Sequence, residues 1–115
     1  MEITTEEYSI SYEDENKTVH CKGSLLLSGS EEYAPILDLM IDAIEKNNEG
    51  QLTLNVQDLE FLNSSGINTM TKFVINARNR KTLNLKVIGY AEIPWQVRLL
   101  KNLQRLMPSL ELDMV

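Results

Sequence analysis

The sequence predicts an α/β fold, a mostly parallel or mixed sheet of about five strands with three main helices packed on it. Three observations predict it. Short stretches alternate apolar and polar side chains, the period of a strand with one face in a core; longer stretches repeat their apolar residues at helical spacing; and from Leu52 onward strand and helix patterns take turns along the chain. A chain of 115 residues suits a single domain over 1–115, enough for one modest core and too little for two.

Met1 opens an acidic segment, Glu2 to Glu7, which lacks the basic start and apolar run of a secretory signal, so a cytoplasmic protein is expected. Tyr8 to Tyr12 alternates, and so does Thr18 to Leu27, with Val19, Cys21, Gly23, Leu25 and Leu27 on one face. The polar segment Glu13 to Lys17 between them predicts an antiparallel hairpin. His20 falls on the face opposite Cys21 and reads as a surface residue rather than a catalytic one, since nothing orients it. Ser28 to Glu31 leads into a helix with Ser30 as its cap, and Tyr33, Ile36, Leu37, Met40, Ile41 and Ile44 form its apolar stripe. Pro35 falls in the first turn, where proline is tolerated, and Asn47 to Gly50 ends the helix.

Leu52 to Val56 alternates as a strand. The alternation then stops, and Asp58 to Leu62 reads as a crossing of the sheet end. From Ile67 the apolar residues Met70, Phe73, Val74 and Ala77 recur at helical spacing, so Asn63 or Ser64 should cap this second helix. A serine at that cap stands at the positive end of the helix dipole. A phosphate added there brings about −1.5 to −2 charges to a place where backbone donors tolerate them, so the fold survives while the surface changes. Arg78, Arg80 and Lys81 complement the negative end of the same helix. Leu83 to Gly89 is a further strand, and two strands flanking a helix in this way imply a parallel crossover. Pro94 begins a third helix with Val97, Leu100, Leu103 and Leu106 as its apolar face; Pro108 stops it, and Leu110 to Met114 alternates as a last short strand. Trp95 fits either an interface anchor or a core residue.

Composition and motifs exclude several function classes. With 43% apolar and 24% charged residues the chain is neither disordered nor membrane-embedded, and no apolar run is long enough to span a bilayer. A net charge of −6 argues against a nucleic-acid partner. Cys21 is alone and cannot form an internal disulfide, no Cys/His spacing suits a metal, and no glycine-rich phosphate loop suggests a cofactor. Ser64 and Ser65 have one histidine in the whole chain to serve as a base and no nucleophile elbow, so an enzyme is not expected. Asp58 and Glu60 read as solvated loop carboxylates.

The stretch Phe61-Leu62-Asn63-Ser64-Ser65-Gly66-Ile67 resembles the signature of STAS domains, the sulphate transporter and anti-sigma factor antagonist family: an apolar pair, Asp, Ser, Ser or Thr, Gly, then Leu or Ile. Gly23-Ser24-Leu25 is similar to the Gly-x-Leu that closes an early strand in that family, and the length and order of elements agree over nearly the whole chain. Asn63 departs from the usual Asp, and Leu26 stands where many antagonists carry Asp.

The resemblance implies a non-enzymatic, single-domain partner switch. Its partners would be an anti-sigma factor, often itself a serine kinase, and a serine phosphatase. Ser64 would be the phosphoacceptor, with Ser65 as second choice; Ser65 and Gly66 would shape the turn, and Asp58, Asn63 and Ile67 would lie at the contact surface. Two alternatives within the family remain: an unphosphorylated subunit or scaffold of a lipid-transport ATPase or stress-sensing assembly, which Asn63 favours, or a nucleotide or small-ligand sensor, for which the sequence offers no phosphate cradle except the helix N-terminus.

Overall fold

A computed structural model describes residues 1–115 as seven strands and three helices. The strands are β1 (Glu2–Thr4), β2 (Tyr8–Glu13), β3 (Thr18–Leu25), β4 (Gln51–Asn55), β5 (Leu59–Leu62), β6 (Asn84–Gly89) and β7 (Glu111–Met114). The helices are α1 (Gly29–Lys46), α2 (Ser64–Arg78) and α3 (Pro94–Leu106).

The strand order is β1-β2-β3-β4-β6-β7, antiparallel among β1, β2 and β3 and parallel from β3 onward. The first half of β3 pairs with β4 and its second half with β5, so β4 and β5 follow one another along the same neighbour. β3, β5, β6 and β7 therefore run toward one end of the sheet, and all three helices begin there. The β1–β2 turn joins them, because Tyr8 pairs with Gly23.

Alternation decides which face is covered. Leu52 and Leu54 of β4 and Leu85 and Val87 of β6 point into the core, whereas Thr53, Asn55, Lys86 and Ile88 stay partly exposed on the other side. α2 packs between α1 and α3 on the covered side. Tyr33, Phe73, Met40 and Leu103 are fully buried there, and they tie the three helices into one core.

Several expectations are corrected. The sheet has seven strands rather than about five. The acidic start contains β1, which three residues with a single inward side chain, Ile3, were too short to reveal. Asp58 to Leu62 is not simply a crossing: Leu59–Leu62 is β5, whose alternation is broken by a register shift opposite Gly23 and Ser24. α1 starts before Ser30, with Ser28 in the capping position and no side-chain cap; Glu32 instead accepts the Ser28 N–H at 3.1 Å. Leu39 and Ala43 are buried on α1, and Leu37 and Ile41 are only partly covered, so its inner face is rotated slightly from the predicted stripe. The hairpin, the parallel crossover to β6 and the opposed faces of His20 and Cys21 are as expected. No helix is long and apolar enough to cross a membrane.

Gly23 has a chemical reason to be glycine. Its φ is +90°, and a Cβ would fall 2.2 Å from the Glu7 carbonyl oxygen, where the β1–β2 turn folds over β3.

Candidate functional site

The turn from β5 into α2 is organised by the Asn63 side chain. Asn63 is extended, with φ −84° and ψ −179°, and its Oδ1 accepts the Gly66 N–H at 2.9 Å as the helix cap. The same oxygen accepts the Tyr33 hydroxyl at 2.7 Å, and Nδ2 donates to the Leu27 carbonyl at 2.7 Å. One side of the amide thus faces two donors and the other faces an acceptor. A carboxylate has no hydrogen to offer Leu27, so this geometry selects asparagine over aspartate. The Tyr33 side chain is buried, which raises its pKa and keeps the hydroxyl protonated as the donor this network needs.

The two serines after Asn63 differ. Ser64, the first residue of α2, is exposed, and its hydroxyl makes no hydrogen bond within the chain. Ser65 is half-buried, and its Oγ accepts the Gly29 N–H at 3.2 Å. Asn63 and Ser65 together strap the β3–α1 loop to the start of α2. Gly66 is buried against this joint; a Cβ there would lie 2.3 Å from Leu62 Cδ1 and 2.8 Å from the Tyr33 hydroxyl.

Asn63, Ser64, Ser65, Gly66 and Ile67 are therefore brought together in one helical first turn. Asp58 stands apart on the β4–β5 turn, exposed, in a cleft of about 250 Å³ whose other walls are Gln57, Glu60, Tyr90 and Ile93. Tyr90 donates a hydrogen bond to Glu92 there, which raises the tyrosine pKa. Ile67, placed in the apolar stripe of α2 by its spacing, is 37% exposed and outside the core.

Two residues that position this end were missed or left open in the sequence. Gln96 is fully buried in α3; its Nε2 donates to Val56 O at 2.7 Å and Leu59 O at 2.8 Å, and its Oε1 accepts the Tyr90 N–H at 2.8 Å. It closes the backbone that β5 leaves unpaired on the side away from β3. The adjacent Trp95 donates Nε1 to Glu60 O at 2.9 Å and covers a small apolar void lined by Leu59, Leu62, Met70 and Leu100. Its ring packs against the core, which decides between the two readings in favour of packing. A polar residue inside the apolar spacing of a helix was the available signal for Gln96, and a tyrosine among buried aliphatics was the signal for a Tyr33 partner.

Other groups offer little chemistry. Burial pushes the Cys21 thiol up to about 12, so it stays protonated and unreactive. His20 lies 3.5 Å from the exposed Glu13 carboxylate. No group of His, Cys, Asp or Glu side chains is arranged to hold a metal ion.

With this geometry in hand, comparison with solved structures is informative. SiaC of Pseudomonas aeruginosa superposes with a TM-score of 0.74 at 15% sequence identity, over 100% of this chain and 96% of SiaC. The fold is that of SiaC. A chain in the crystal structure of the diguanylate cyclase SiaD in complex with its activator SiaC, also from Pseudomonas aeruginosa, gives a TM-score of 0.75 at 15% identity, over 99% of this chain and 97% of that one. No protein-family model and no curated protein sequence matches the chain. At this identity, the likeness to SiaC is one of architecture.

Proposed function

We propose that the protein is a non-enzymatic regulatory module that binds a partner protein through the end carrying Ser64 and is switched by phosphorylation of Ser64. The observation that carries this reading is the contrast between the serines. Ser64 is exposed with a free hydroxyl on a rigid, capped turn, while the neighbouring Ser65 is tied to Gly29. A kinase reaches Ser64 without disturbing the fold, and the new dianion sits at the helix N-terminus, where the dipole favours it. The surface around it is prepared for contact: Leu26, Phe61 and Ile67, on the elements flanking the turn, are exposed at 62%, 58% and 37%. A phosphate carried into a contact with those side chains loses hydration with no gain in packing. Each 1.4 kcal/mol of that cost is about tenfold in affinity.

On this reading Ser64 is the phosphoacceptor, and Ile67 joins Leu26 and Phe61 in touching the partner. Asn63, Ser65 and Gly66 hold the turn, and Asp58 lies at the rim of the contact. The STAS resemblance supports an anti-sigma factor with serine kinase activity as the partner and a phosphatase as the resetting enzyme. A second reading of the partner draws on SiaC, an activator of a diguanylate cyclase: there the bound protein is an enzyme to be activated. Either partner would dock on the Ser64 end of this chain.

Phosphopeptide mapping of the protein from its native cells, with Ser64→Ala as control, tests the switch. Condition-dependent phosphate on Ser64 supports it. A fully covered peptide that never carries phosphate refutes the switch and leaves a constitutive binding subunit.

A further inference from the structure

The sheet end that carries Ser64 is chemically one-sided. It is formed by the β1–β2 turn, the β3–α1 loop with the first turn of α1, the segment from Val56 through the first turn of α2, and the β6–α3 loop. These segments hold Glu6, Glu7, Glu31 and Glu32, and around the cleft Asp58, Glu60 and Glu92, with no lysine or arginine among them. The opposite end mixes both signs: Lys17, Lys46, Arg80 and Lys81 stand among Glu13, Asp14, Glu45 and Glu49. Exposed large apolar side chains follow the same division. Leu26, Phe61, Ile67 and Tyr90 lie at the acidic end, and the opposite end has only the terminal Met1.

Deepening the protein-binding reading above, on which this rests, we infer that the partner presents an apolar centre rimmed by lysine and arginine, with one cationic side chain entering the cleft between Asp58, Glu60 and Tyr90. Charge complementarity carries the choice of occupant. An apolar partner surface with an acidic rim meets repulsion from the carboxylates of the β1–β2 turn, the first turn of α1 and the cleft, whereas one with a basic rim meets attraction there, exposed Lys22 of β3 being the neighbouring charge of the other sign. The cleft adds shape: about 250 Å³, with two exposed carboxylates without hydrogen-bonding partners in the chain and Tyr90 as one wall. Its floor is held by Gln96, so it is formed before anything binds. The segments together steer that basic rim to the margin of the surface and its apolar centre over Ser64, which raises the association rate at low salt.

The test uses the full chain, isotope-labelled, titrated with two synthetic amphipathic peptides that share one apolar stripe and carry either Lys/Arg or Glu/Gln around it. The inference expects the cationic peptide to shift amides at 57–60 and 90–93, to bind more weakly as salt rises, and to lose about three- to tenfold in affinity in the D58N/E60Q variant. Asp42→Asn, on the outer face of α1, leaves its affinity unchanged. Equal binding of the two peptides, shifts confined to the opposite end, or indifference to D58N/E60Q overturns it. A natural partner that contacts the Ser64 end with affinity insensitive to salt and to D58N/E60Q leaves the protein-binding reading standing and removes the basic rim. A partner that contacts only the opposite end removes both.

Discussion

The two ends of this sheet are closed by similar means but present different surfaces. Away from Ser64, short backbone turns, such as Gly50 N–H to Asn47 O at 2.9 Å and Leu83 N–H to Arg80 O at 3.0 Å, are joined by long-range side-chain bonds from Asn47 Nδ2 to the Tyr12 hydroxyl at 2.9 Å and from Thr82 Oγ1 to Asn48 O at 2.8 Å, and the end shows no exposed large apolar side chain except Met1. The ion pair that joins α1 to the α2–β6 loop there, Arg80 with Glu45 at 3.3 Å, is largely exposed and of small energetic value. At the Ser64 end, side chains from distant parts of the chain close the structure: Asn63 to Tyr33 and Leu27, Ser65 to Gly29, Gln96 to β5, and Trp95 to Glu60. A turn of local chemistry tolerates change. A joint built from long-range side-chain bonds holds its surface in one conformation, and this one holds exposed apolar side chains in place. The contrast teaches that exposed apolar surface on a fixed frame, more than the style of closure, sets the Ser64 end apart.

Mutations sharpen or break that contrast. The largest effect is expected for Gln96→Leu, which strips the buried side-chain partner from Leu59 O and the Tyr90 N–H and leaves Val56 O with the Leu59 N–H alone, and costs about 3 kcal/mol, measured by denaturant unfolding. A cost under 1 kcal/mol means that water replaces the side chain and that β5 does not depend on it. Next is Asn63. Asn63→Ala removes the cap and strands both Tyr33 and Leu27, for about 2 to 4 kcal/mol. Asn63→Asp keeps the cap and loses only the Leu27 bond, for about 1 to 2 kcal/mol. Equal stability of the Asp and Asn proteins contradicts the claim that the geometry selects asparagine.

Smaller effects separate the two serines. Ser65→Ala loses the strap to Gly29 and about 1 kcal/mol, while Ser64→Ala stays within about 0.5 kcal/mol, as does Arg80→Ala at the opposite end. If Ser64→Ala proves the more damaging serine change, the division into an accessible and a structural serine fails. An alkaline effect, absent at neutral pH, comes last. Cys21 has a folded pKa of about 12 against an ordinary 9.0, so its contribution is complete below about pH 9 and is lost as pH rises toward 12. Tyr33, also raised by burial, acts in the same direction. Cys21→Ala is expected to flatten the decline, read as unfolding free energy against pH.

Much of this was legible in the chain. Alternation and helical spacing located all three helices and five of the seven strands, because those elements each bury one regular face. β5 was not legible: the register shift in its pairing with β3 leaves Phe61 outside and breaks the period. The cap at Asn63 was readable because it is local. The Tyr33 and Leu27 bonds were not, since they join positions 30 and 36 residues apart, and sequence spacing says nothing about such pairs. Gln96 was absorbed into a helix whose other positions read as an ordinary amphipathic stripe. Its role appears only when the unpaired side of β5 is placed beside it.

The central claim is that the Ser64 end is the working surface. Its most direct test places a photo-crosslinking residue at Phe61, at Ile67 and, on the opposite end, at Lys81, with each variant expressed in the native cells. The account predicts one discrete protein adduct from positions 61 and 67, diminished when Ser64 is phosphorylated, and none from position 81. An adduct from position 81 with none from 61 or 67 contradicts it.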